Sequence, residues 1–214
     1  MFLRHALLLS ATLALAVPAA AQTWHVTGLF NTGVNAAGAP LSGYAVDPHY
    51  AIVGNAVFST AYASRLGDGS PIDTAAWVPD TALSSWINPV IGTGFVDRAG
   101  VTDALRYETH FQVQAGFETQ VRLQGRWAAD DGGLRIWLNG VQVPGVPVAQ
   151  ADSWHSFSIA SGFKAGDNVL AFDTLSTQSP TGLRVEVSAV PEPGTVSLWM
   201  AGALLVTLRL RRPA

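Results

Sequence analysis

Apolar and polar residues alternate with a period of two over several short stretches, and no long stretch of the interior repeats every 3.6 residues. The clearest run is Tyr107 to Ala115. Tyr107, Thr109, Phe111, Val113 and Ala115 point one way; Glu108, His110, Gln112 and Gln114 point the other. The next stretch repeats the pattern, with Val121, Leu123, Gly125 and Trp127 set against Gln120, Arg122, Gln124 and Arg126. Such stretches predict antiparallel strands with one face on a core and one in water. Gly133 to Leu138 runs into Asn139-Gly140 and then Val141 to Val143. Asn-Gly between alternating segments predicts a hairpin, because a type I′ turn needs positive φ at both central residues. Further strands are expected at Ser153 to Ala160, Asn168 to Asp173 and Leu183 to Ser188, and earlier at Trp24 to Phe30 and Ala51 to Ser59. Asn31 to Asp47 and Gly67 to Asp103 read as long loops rich in Gly, Pro and Asp. The expected class is all-β, an antiparallel β-sandwich or jelly roll.

The two ends break this pattern. Arg4 and His5 precede an apolar run from Ala6 to Val17, then Pro18 and the small residues Ala19 to Ala21. That is the order of a signal peptide over 1–21, cut by signal peptidase after Ala21. At the other end, Pro191 and Pro193 fix φ and remove two backbone donors. Val196 to Leu208 then carries no charge, and Arg209, Arg211 and Arg212 follow. The 17 residues from Gly194 to Leu210 sit near the lower limit for spanning a bilayer as a helix. The arginines would hold the far end in the cytoplasm as a stop-transfer signal.

The middle, residues 22–189, is then one domain with eight basic and fourteen acidic residues, a net charge of −6. That balance argues against nucleic acid and against anionic lipid surfaces. There is no Cys, which excludes disulfides and thiol chemistry. The histidines His25, His49, His110 and His155 show no metal-ligand spacing. No nucleophile elbow, P-loop or dinucleotide fingerprint occurs, and Glu108 and Glu186 fall on outward strand positions.

The tail, Val190-Pro191-Glu192-Pro193-Gly194-Thr195 followed by the apolar segment and the arginines, resembles the PEP-CTERM sorting signal over residues 190–214. The resemblance implies export from a Gram-negative bacterium that makes exopolysaccharide. It implies transient residence in the inner membrane through a transmembrane segment at about 195–210, recognition of Pro191, Glu192 and Pro193 by an exosortase, and release to the cell surface or matrix. The interior strings Asp47-Pro48-His49-Tyr50, Ser85-Trp86-Ile87-Asn88-Pro89, Trp127-Ala128-Ala129-Asp130-Asp131, Trp137-Leu138-Asn139-Gly140 and Thr181-Gly182-Leu183-Arg184 resemble exported bacterial domains of the galactose-binding-like fold. That likeness implies a non-catalytic module of a kind that often binds carbohydrate.

Four residues stand out as candidates for ligand contact. Asp130 and Asp131, ahead of Gly132-Gly133, offer two carboxylates to a Ca²⁺ ion, as a similar Asp-Asp-Gly stretch does in PA14-type adhesins; equally, Asp130 can bond neighbouring backbone amides. Trp77 offers a ring to stack on a sugar or to plug the end of the domain. Trp137 faces away from Leu134, Ile136 and Leu138, which leaves it either a surface aromatic or a covered one. Asp47-Pro48-His49-Tyr50 reads as a turn capped by Asp47, with His49 as the alternative ligand. The functional expectation is a non-enzymatic binding module for exopolysaccharide or envelope. The alternatives are a structural biofilm or floc protein without a specific ligand, and a polysaccharide-active enzyme.

Overall fold

A computed structural model describes residues 25–65, 76–90, 104–176 and 180–191. The expected signal peptide over 1–21, the expected transmembrane segment at 195–210, Glu192, Pro193 and the arginines at 209, 211 and 212 lie outside the described residues. Among those described, there is no helix; the protein is all-β. Eleven strands form one curled antiparallel sheet: β1 Val26–Thr27, β2 Val46–Val53, β3 Thr60–Ser64, β4 Trp86–Asn88, β5 Leu105–Val113, β6 Val121–Asp130, β7 Gly132–Leu138, β8 Val141–Gln142, β9 His155–Ile159, β10 Gly166–Leu175 and β11 Gly182–Pro191. The order is β8-β7-β10-β5-β2-β3-β4-β11-β6-β9, with β1 also paired to β5.

Alternation builds the core. On β5, Leu105, Tyr107, Thr109, Phe111 and Val113 are buried, while the residues between them are half-buried or exposed. Ala115 lies past the end of the strand and is exposed. On β6, Val121, Leu123 and Trp127 face the same core, where Phe172, Phe157, Ile136 and Leu170 meet them. Gly125 breaks the series for a steric reason. A Cβ there would sit 2.5 Å from Cζ of Phe157 on β9, so the phenyl ring fills the space that the glycine leaves. The Asn139-Gly140 hairpin forms as expected, with φ of 53° and 80° at its centre.

The first third departs from the sequence pattern. The strand expected from Trp24 to Phe30 has only Val26–Thr27 within it, and the one expected at Ala51 to Ser59 holds only the end of β2, with β3 starting just after it. Asp47-Pro48-His49-Tyr50 is not a free turn but a bulge in β2: Val46 pairs with Tyr62 and Ala51 with Thr60, leaving four residues opposite one. Buried Asp47 holds the bulge, accepting from the amides of Gly33 at 2.6 Å, His49 at 2.8 Å and Tyr50 at 3.1 Å. β4 arises inside the expected loop from Gly67 to Asp103. Its Trp86 is fully buried, as a plug would be.

β11 matters most for the arrangement of the ends. It pairs with β6 over every residue from Gly182 to Pro191, the last rung being Pro191 against Val121. The first proline of the Pro-Glu-Pro string is therefore part of the sheet.

Candidate functional site

The outer face of β7, β10 and β5 carries the first candidate site. One cross-strand row is Trp137, Ala171 and Glu108; the next is Arg135, Asp173 and Arg106. Alternation puts all six on the face away from the core. Trp137 is half-buried there. Its Nε1–H donates to Oδ2 of Asp173 at 2.7 Å. Arg106 donates Nε to Oδ1 at 2.7 Å and Nη2 to Oδ2 at 3.0 Å, a bidentate pair. The same guanidinium lies 4.9 Å from the centroid of the indole. Asp173 raises the pKa of Arg106 through that bond. The arrangement fixes the ring by its edge and by one neighbour. Two rungs further along β5, His110 Nδ1 lies 3.0 Å from Asp167, to which Gln112 also donates. The result is an aromatic ring on an open sheet face bordered by amide, imidazole, carboxylate and guanidinium groups.

Asp130 and Asp131 lie at the end of β6, joined by a cis peptide bond. Trp77 is brought to them but is buried, its ring centroid 4.3 Å from that of Trp86. The Trp77 side chain donates to the Asp130 carboxyl. This places Trp77 as a plug rather than a stacking surface. Burial, then the charge of Asp131, pushes the Asp130 pKa up to about 6, against the lowering effect of the Trp77 bond. Thr181 Oγ1 donates to the Asp130 carbonyl at 2.7 Å. A calcium cage needs six to eight oxygens. Among the described residues no group of three or more His, Asp or Glu converges here or elsewhere. The two carboxyls alone do not fit that ion.

His49 stacks on Phe30 at 3.7 Å, and its buried Nε2 has no partner. It lines an open groove of 520 Å³ with Glu108, His110 and Thr60.

A further cluster was not visible in the sequence pattern. Residues 76–85 fold over the outer face of β11 and β6, where Trp77, Val78, Trp86 and Ala128 form a second small core. Arg184 lies beneath them, 0% exposed. It donates to the carbonyls of Val78 at 3.0 Å, Pro79, and Ser84 at 3.1 Å, and to the hydroxyls of Ser84 and Thr81. Burial lowers its pKa, opposed by Asp80 and Glu186. Glu186 is not the solvent-facing carboxylate that alternation implies. Its Oε1 accepts from Ser84 at 2.8 Å and Thr81 at 3.1 Å, and its Oε2 lies 2.6 Å from Arg126 Nη2. Burial pushes its pKa up, but the bonds from Ser84 and Arg126 outweigh that and hold it low. Trp154 packs against both guanidiniums, 4.4 Å from that of Arg126 and 4.9 Å from that of Arg184. Only the pairing of Glu186 with Arg126 across β11 and β6 reveals the cluster, and pairing is not written in either strand alone.

No family model, curated protein or solved structure matches the chain.

Proposed function

We propose that the chain is an exported, non-catalytic binding protein of the cell surface or extracellular matrix, and that the Trp137 face takes polysaccharide. In this reading the curled sheet is a β-sandwich of jelly-roll, galactose-binding-like type. The tail beyond Val190 is a PEP-CTERM address, read at Pro191, Glu192 and Pro193 by an exosortase after signal peptidase has removed residues 1–21. The observation that carries the ligand class is the fixed position of Trp137 between Asp173 and Arg106. A ring held in place before binding loses little entropy on contact with the apolar face of a pyranose, and bordering polar groups suit hydroxyls.

The test is affinity electrophoresis of the full-length chain through gels containing the exopolysaccharide of a producing strain, with dextran as a neutral reference. Retardation is expected, and Trp137→Ala should reduce it at least fivefold while leaving the melting midpoint within a few degrees. Equal mobility of the two proteins in every gel would sink the ligand reading in favour of a purely structural matrix protein. The sorting reading has its own test. Pro191→Ala combined with Pro193→Ala should leave the chain in the membrane fraction of an exosortase-bearing host, and unchanged release would overturn it.

A further inference from the structure

We infer that the opposite side of the protein holds a second carbohydrate subsite, one that selects carboxylated sugars through Arg126. The inference rests on the polysaccharide-binding reading and adds a place and a chemistry to it.

The outer face of β6, β9 and β11 carries an open groove of 350 Å³. Its polar lining comes from Gln124 and Arg126 on β6, Ser156 on β9, Glu186 and Ser188 on β11, and Asn31 from the loop after β1. Leu83, 58% exposed, adds an apolar wall. The groove shares Gln124, Gly125 and Ser156 with a second one of 520 Å³ that continues toward Ser158 and Pro144. Two confluent grooves along a strand pair suit an extended polymer better than a compact small molecule.

Charge then separates acidic from neutral polymers. The domain from 22 to 189 carries a net −6, yet the one carboxylate lining this groove, Glu186, is shared by two guanidiniums, those of Arg126 and of buried Arg184. Arg126 lies 2.6 Å from Oε2 of Glu186 and Arg184 3.9 Å from Oε1. Glu186 is therefore already engaged from both sides and does not repel an incoming anion as a free carboxylate would. The exposed member is Arg126, whose side chain is 42% accessible. Its bonds to Glu186 use Nε and Nη2, and Nη1 has no partner among the described residues. Glu186 and Trp154 hold the guanidinium plane in place, so the free edge of the fork is already oriented. A planar, oriented guanidinium edge beside a carboxylate that is already engaged matches an incoming carboxylate, which a uronic acid residue presents. The hydroxyls of Ser156 and Ser188 and the amides of Gln124 and Asn31 match the sugar hydroxyls around it.

The experiment measures binding of the full-length chain to polygalacturonate and to dextran, at low and at physiological salt. Polygalacturonate is expected to bind more tightly than dextran, and less so as salt rises. Arg126→Gln should weaken polygalacturonate binding about fivefold or more and leave dextran unchanged. Because Arg126 also touches Glu186 and Trp154, a second variant guards against a folding defect. Gln124→Glu is on an exposed rim position and places a negative charge in the groove without removing a fold contact, so it should weaken polygalacturonate binding similarly. Full polygalacturonate binding in both variants overturns the inference and leaves the Trp137 reading standing. Loss in both variants with no effect of Trp137→Ala on either glycan supports the inference and overturns that reading. No binding to polygalacturonate by the unaltered chain overturns the inference, and the Trp137 reading is then decided by the exopolysaccharide gels alone.

Discussion

Oδ2 of Asp173 accepts from the indole N–H of Trp137 at 2.7 Å and from Nη2 of Arg106 at 3.0 Å. One buried carboxylate thus sets the position of both groups that define the outer face of β7, β10 and β5. Asp173→Ala leaves an indole donor and a guanidinium without their acceptor. Both are partly accessible to water, so the expected loss of stability is moderate, about 1–3 kcal/mol. Polysaccharide binding should fall as far as it does in Trp137→Ala, although the ring is still present. Urea denaturation and near-ultraviolet circular dichroism would check this: an unchanged tryptophan signal with unchanged binding would show that Asp173 does not position the ring.

Arg184 makes a larger prediction for stability. It ties the carbonyls of Val78, Pro79 and Ser84 to β11; Val78 also accepts from Trp86 Nε1 and Ser84 from the Thr81 amide, whereas Pro79 accepts from the Arg184 guanidinium. Arg184→Ala takes a donor from each of those carbonyls and the nearby cation from Glu186 Oε1, and leaves a cavity under residues 76–85, with a cost of about 3–5 kcal/mol. Arg184→Lys keeps the charge but reaches fewer acceptors, and should recover less than half of that. Equilibrium unfolding in urea gives the cost. Limited proteolysis should cut first within residues 76–85, and an unchanged cleavage pattern would count against the role assigned to the guanidinium.

Asp130 predicts a pH dependence whose sign is opposite to that of a salt-bridged acid. Burial and the charge of Asp131 raise its pKa from 3.8 to about 6 in the folded protein. The native state therefore holds this proton more tightly than the unfolded chain. The resulting stability is present in full below about pH 4 and is lost as pH rises through about 6. Glu186, held low, acts in the other direction and loses its contribution as pH falls below the ordinary glutamate range. Comparing Asp130→Asn with the unaltered protein isolates the first effect, because the amide keeps an acceptor for Trp77 without a charge. The variant should match the parent near pH 4 and melt higher at pH 7.5. A difference in melting midpoint that stays constant from pH 4 to 7.5 would contradict the assignment.

What was legible in the sequence follows from the range of the interactions involved. Alternation on β5 and β6 and the Asn139-Gly140 turn are local, and each could be read from a few consecutive residues. The outward direction of Trp137 also followed from its parity relative to Leu134, Ile136 and Leu138, although the ring is half-buried. Its fixation did not, since Asp173 and Arg106 reach it from two other strands. Asp47 illustrates the middle case. Its role in binding backbone amides was readable, but the four-residue bulge depends on where β3 pairs, and the amide of Gly33 comes from a distant loop. Glu186 shows the limit of parity: it does point away from the core, and residues 76–85 then cover it. The proposed sorting address would be carried by consecutive residues of the tail, whereas the proposed ligand contacts are side chains assembled across the sheet.

The register of β11 has a mechanical consequence. A tension applied at residue 192 and directed along the strand is carried by a segment paired to β6 from Gly182 to Pro191. The hydrogen bonds of that ladder lie across the direction of pull, so they share the load together instead of opening one at a time. Arg184, clamped under residues 76–85, opposes sliding at the far end. A pull at residue 192 therefore meets the sheet at Pro191, and the whole β11–β6 ladder resists it.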